Sequence, residues 1–128
     1  MDGTGRANIP RDGASIGTET MKHYLLFYSF VDDYLERRTL FRDAHLRHAW
    51  EGCARAGLVL GGAVGTPPEG GLLLFRAQST EPVEAFARHD PYVVNGVVTS
   101  WRIREWTTVI GDLAASPVYP AGMQRPPD

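Results

Sequence analysis

One cysteine, Cys53, stands in 128 residues. An intrachain disulfide and a cysteine-built zinc site are therefore excluded. No stretch approaches the roughly 20 apolar residues that a membrane-spanning helix needs. The first residues lack the basic-then-apolar order of a signal peptide. No membrane partner is expected, and a cytoplasmic location follows by default. Charge of one sign is also missing. The formal net charge is −2, with acidic and basic residues interspersed, so the clustered basic patch that binds nucleic acid is absent. Arg37, Arg38, Arg42, Arg47 and Arg55 alternate with Glu36, Asp43 and Glu51, which is the pattern of a solvated helix face. Cys53 has Ala49 and Ala56 as helical neighbours, and these small side chains predict that it is buried as an apolar residue.

What is present suits one small globular domain. Hydrophobic residues make up 43% of the chain and charged residues 22%, which is ordinary composition, and the length suffices for one core and not two. Residues 1–20 are rich in Gly, Thr and small polar residues without periodicity, and they read as a disordered leader. Residues 21–111 carry the pattern of a folded domain. Residues 112–128 read as a Pro-rich tail, with four prolines from Ala114 onward.

Within the domain the aromatic and leucine-rich segment 23–30 predicts a strand. Helical periodicity runs over 36–56 and stops at Gly57, a suitable residue just past a helix end. Two apolar segments, 58–64 and 72–77, flank a Pro-Pro-Glu-Gly-Gly turn and predict two further strands. Ser79 or Thr80 caps a short helix that stops before Pro91. A segment rich in Val, Ile, Thr and Trp, 97–110, predicts the last strand. The order β-α-β-β-α-β implies an α+β, ferredoxin-like fold: a four-stranded antiparallel sheet with both helices on one face. In the first strand Leu25 and Phe27 point one way while Tyr24, Leu26, Tyr28 and Phe30 point the other. In the third strand Leu72 and Leu74 oppose Leu73 and Phe75. Both sheet faces are thus apolar, and two helices cover one. A second copy of the sheet is the simplest cover for the other, so a homodimer through sheet faces is expected, as in a dimeric α+β barrel. The alternative is that the tail covers this face within a monomer.

The chemistry lies in polar residues on a core face. At 100° per residue, Phe41, Leu46, Ala49, Gly52, Cys53 and Ala56 share one arc of the first helix. His45 falls inside that arc, and Arg38 and Arg42 join it in a row with Ala49. Polar groups in such places are costly unless paired. Asp90, where the second helix breaks before Pro91, is the expected partner for His45. A carboxylate orients an imidazole for acid or base work near neutral pH. Arg42 would hold an anionic or enolic oxygen, Tyr92 would position a substrate, and Gly61-Gly62 would let a ligand approach the backbone. Trp101 and Trp106 suit core or dimer-interface positions better than apolar walls of a pocket. His45, His48 and His89 lack a clear metal-ligand pattern, so no metal and no cofactor is expected. The other reading is a non-catalytic binding or protein-interaction module in which His45 and Asp90 brace the core.

The segments Arg42-Asp43-Ala44-His45-Leu46 and Asp90-Pro91-Tyr92-Val93, followed by Asn95-Gly96-Val97-Val98, resemble the YCII-related (YciI-like) family. Leu60-Gly61-Gly62-Ala63 and the segment from Trp101 to Trp106 support the match, which spans about the central seventy per cent of the chain. The resemblance implies a dimeric α+β barrel and makes His45 and Asp90 the counterparts of that family's His-Asp pair. It also implies a small cofactor-independent enzyme that moves protons on a small-molecule substrate by isomerisation, elimination or dehydrochlorination-like chemistry.

Overall fold

The computed structural model describes residues 20–123, so the expected leader up to residue 19 and the tail from residue 124 lie outside the described residues. Four strands form one antiparallel sheet: β1 (Lys22–Phe30), β2 (Leu58–Val64), β3 (Gly70–Ala77) and β4 (Val98–Trp106). Their order is β2-β3-β1-β4. Helices α1 (Tyr34–Arg37) and α2 (Arg42–Arg55) connect β1 to β2, and α3 (Glu81–His89) and α4 (Pro91–Val94) connect β3 to β4. This is the expected ferredoxin-like α+β arrangement.

The alternation of β1 decides where the core sits. Tyr24, Leu26 and Tyr28 are buried, and Phe75 and Leu73 of β3 pair with Tyr24 and Leu26 on the same face. Val83, Phe86 and Ala87 of α3 close over them. Burying side chains as fully as Leu26, Phe75 and Val83 are buried stabilises the fold by about 1.5–3 kcal/mol each. Helix α2 reaches this layer chiefly at Gly52, its one buried residue.

Three boundaries depart from the sequence expectation. The helix expected over 36–56 is broken: α1 gives way to a 3-10 turn at Arg38–Leu40, and α2 starts only after Phe41, whose φ is −121°. Thr39 Oγ1 donates to the Glu36 carbonyl at 2.8 Å, and a hydroxyl competing for backbone partners in this way disfavours continuous helix. The last strand ends at Trp106 rather than residue 110. Its partner β1 begins at Lys22, and the pairing runs out at His23 opposite Trp106. Beyond that point Thr108 and Val109 accept backbone bonds from Ser116 and Val118 of the tail instead. Asp90-Pro91 does not merely stop a helix; it also starts α4.

The second sheet face carries Leu25, Phe27, Leu72 and Leu74, all partly exposed, with Arg104 opposite Leu25 and Arg102 opposite Phe27 on β4, and Trp106 opposite His23. The described part of the tail meets this face at one end, where Thr108 Oγ1 bonds to the buried His23 ring at 2.6 Å and accepts from the Ala115 amide at 2.8 Å. Trp101 is on the other face, partly buried against the core beside Tyr28.

Candidate active site

Asp90 stands at the junction of α3 and α4 with extended backbone (φ −66°, ψ 123°), as expected before a proline. It is the N-cap of α4, and Pro91 occupies the first helical position, where its missing N–H costs nothing. The carboxylate Oδ1 accepts the Tyr92 amide at 2.9 Å. The same oxygen accepts from His45 Nδ1 at 2.8 Å, and Oδ2 accepts the Tyr28 hydroxyl at 2.7 Å. The Asp90 side chain is 0% exposed. Three donors around one acceptor-only group satisfy what would otherwise be a costly buried charge.

His45 reaches this carboxylate from α2, forty-five positions earlier in the chain. With Nδ1 carrying the proton toward Asp90, Nε2 is the ring nitrogen without a protein partner among the described residues. The tautomer is assigned from the acceptor. The His45 side chain keeps 16% of its surface exposed. The Tyr92 ring stacks on it at 3.8 Å and 3°. Tyr92 therefore fixes the plane of the imidazole as well as facing the cavity.

That cavity has a volume of about 360 Å³ and lies between α2 and strands β2 and β3. His45, Arg42, Tyr92 and Gly62 all line it, as do Tyr28 and Arg38. Leu46, Ala49, Trp50 and Leu58 give it apolar walls. A Cβ added to Gly62 meets nothing within 4 Å, whereas one on Gly61 meets Leu73 Cγ at 3.1 Å. Gly62 pairs with Leu72 and so presents backbone, not a packing glycine, to the site.

One expectation needs correcting here. Cys53 is exposed, not buried, because its face of α2 borders the cavity that separates the helix from the sheet. Trp101 packs against the core, and neither it nor Trp106 lines the cavity; Trp50, 75% exposed, does. The remaining histidines are occupied elsewhere: His48 Nε2 bonds to the Phe86 carbonyl, His89 Nδ1 to the Ala85 carbonyl, and His23 to Thr108. Among the described residues, no three His, Cys, Asp or Glu side chains converge as a metal site.

Tyr28 is the residue the sequence reasoning missed. It appeared only as one aromatic on an apolar strand face. The available signal was that a phenol on a buried face needs a hydrogen-bond partner. Burial first, then the Asp90 charge and the bond to it, push the Tyr28 phenol far above the ordinary tyrosine value. It remains a protonated donor to Asp90 throughout the working pH range. Burial, then the neighbouring Tyr34 phenol, push Tyr92 up to about 12, while Arg38 and Arg42 pull the other way.

The YCII-related domain matches residues 21–107. The chain belongs to the YCII-related family. Among solved structures, this YCII-related chain is similar to 5-chloro-2-hydroxyhydroquinone dehydrochlorinase from Burkholderia phenoliruptrix, in complex with 2,5-dihydroxybenzoquinone. The TM-score is 0.57 at 20% identity, covering 67% of this chain and 94% of that one. A proposed antibiotic biosynthesis monooxygenase from Bacteroides thetaiotaomicron follows at TM-score 0.49 and 13% identity, covering 76% of this chain and 97% of that one. No curated protein matches. At such identity the likeness to the dehydrochlorinase speaks to the fold. No helix among the described residues is long and apolar enough to cross a membrane.

Proposed function

We propose that this YCII-related protein is a small acid/base enzyme whose His45 moves a proton on a small molecule held in the α2–sheet cavity. The observation that carries the reading is the 2.8 Å contact of His45 Nδ1 with the sealed Asp90 carboxylate at the wall of that cavity. Asp90 holds the ring in one tautomer, so Nε2 is the atom that takes or returns the proton. Arg42 stabilises negative charge as it develops on a substrate oxygen. Tyr92 keeps the imidazole in plane, and Gly62 offers backbone to the ligand.

A positioned group of this kind contributes roughly 10²–10⁴-fold to a rate. The parts suit isomerisation, or elimination such as loss of chloride from a ring. The chemistry of the dehydrochlorinase neighbour is of this type, and proton transfer is work that side chains perform unaided. We also propose that residues 21–111 act as the functional unit and that two copies associate through their uncovered sheet faces.

A binding module braced by the His45–Asp90 pair is the other reading, and the capping role of Asp90 favours it. Long-range ¹H–¹⁵N spectra of the neutral His45 ring test the enzyme reading. Wild type is expected to show the Nδ1–H tautomer, and Asp90→Asn a mixture of both. A wild-type ring protonated mainly on Nε2 would leave no free base facing the cavity and would refute the enzyme reading.

A further inference from the structure

We infer that the cavity has a second polar pole, formed by Tyr34, Arg38, Arg42 and Tyr92, that binds an anionic oxygen, so that the natural ligand is a ring-sized anion. The inference rests on the cavity being a substrate site, as proposed above, and adds the charge and size of what enters it.

The charge distribution of the walls comes first. Arg38 and Arg42 both line the cavity, and no Asp or Glu does. Asp90 is sealed beneath the site and already accepts three hydrogen bonds. Among the described residues neither guanidinium has a carboxylate within ion-pair distance. Two cations without an acidic partner among the described residues, at the wall of a largely apolar cleft, concentrate field on whatever occupies it.

The local architecture comes second. The break between α1 and α2 places Arg38 on a 3-10 turn, where its guanidinium lies 5.2 Å from the Tyr34 ring centroid and Nη1 is 3.4 Å from the Tyr34 hydroxyl. Tyr34 stacks on Phe30 at 3.7 Å and meets the Tyr92 ring edge-on at 6.1 Å. The two tyrosines are thereby held rigidly, with their phenol groups near the guanidiniums. Tyr92 links this pole to the base, since its other contact is the His45 ring. A ligand oxygen at the Tyr–Arg pole thus leaves the rest of the ring beside His45. Size is the third constraint: about 360 Å³ is near the lower end of the roughly 300–1,000 Å³ typical of ligand pockets.

The test uses two probes of one size, benzoate and benzyl alcohol, titrated into the full chain while amide ¹H–¹⁵N shifts are followed. Benzoate is expected to shift cavity amides such as those of Ala49 and Gly62, with affinity at least tenfold above that of benzyl alcohol. Arg38→Met, at a half-buried position, and Arg42→Met, at an exposed one, are each expected to lower benzoate affinity about tenfold, the scale of one charge-assisted hydrogen bond, and to leave benzyl alcohol unchanged. Equal affinity for the two probes, no cavity shifts with benzoate, or benzoate affinity indifferent to both substitutions would each overturn the assignment. The readout is binding, so its failure is distinct from failure of the His45 tautomer experiment.

Discussion

Asp90 holds together groups from three parts of the chain, and Tyr28 is the one whose removal tests this most cleanly. Tyr28→Phe keeps the ring and deletes one of three donors to a fully buried carboxylate. Urea unfolding should show a loss of about 1–3 kcal/mol. The same phenol sets a dependence on alkaline pH. Its pKa is raised in the folded protein, so between pH 10 and the folded value the unfolded chain releases a proton that the folded chain keeps. Stability is intact below pH ~10 and falls above it, by up to about 1.4 kcal/mol per pH unit for each such tyrosine. Tyr92, raised to about 12, adds to the slope only up to that pH. Unfolding curves from pH 9 to 11 should be shallower for Tyr28→Phe than for wild type; identical slopes would mean that Tyr28 ionises normally. His45 was legible in the sequence as a polar residue interrupting an apolar face, and Asp90 as a carboxylate at a helix break before a proline. Tyr28 was not, because a tyrosine in an aromatic strand looks like core.

At the scale of elements, α2 matters because it stands off the sheet. Periodicity tells which side of a helix faces inward, but not how far away the facing surface lies. The arc with Leu46, Ala49 and Cys53 was correctly placed toward the sheet, and the gap that leaves Leu46 40% exposed was invisible. Gly52 is the close contact: an added Cβ would lie 2.8 Å from Phe86 Cε2. Phe86 is wedged between His48 at 4.4 Å and Phe75 at 5.2 Å, so it cannot easily yield. Gly52→Ala is expected to cost about 1–3 kcal/mol by overpacking, measured by urea unfolding. A neutral result would show that Phe86 has room to move. The helix break at Phe41 was missed for a different reason, since Arg38, Thr39 and Leu40 all tolerate helix and the decisive bond, Thr39 to Glu36, is local geometry rather than pattern.

At the scale of the molecule, the partly exposed sheet face is the surface on which the proposed homodimer depends. Leu25, Phe27, Leu72 and Leu74 remain partly exposed there, with the Arg102 guanidinium 4.6 Å from the Phe27 ring. The described tail reaches only the His23 end. The proposed homodimer should sediment at twice 14.1 kDa at micromolar concentration. Phe27→Glu combined with Leu74→Glu should sediment as one chain, because apolar contact is replaced by carboxylates whose desolvation on association is costly. Wild-type sedimentation at 14.1 kDa would remove the dimer. The β-α-β-β-α-β order and both apolar faces were plain from alternation alone, whereas the length of β4 depended on where its neighbour begins.

Asp90 also begins α4 and anchors Tyr28, so backbone and core both demand it whether or not any reaction takes place. His45 donates to that carboxylate from α2 but starts no element of its own. Across descendants of such a chain, an aspartate at this corner says little about surviving activity, while under the proposed chemistry loss of the imidazole would end the reaction.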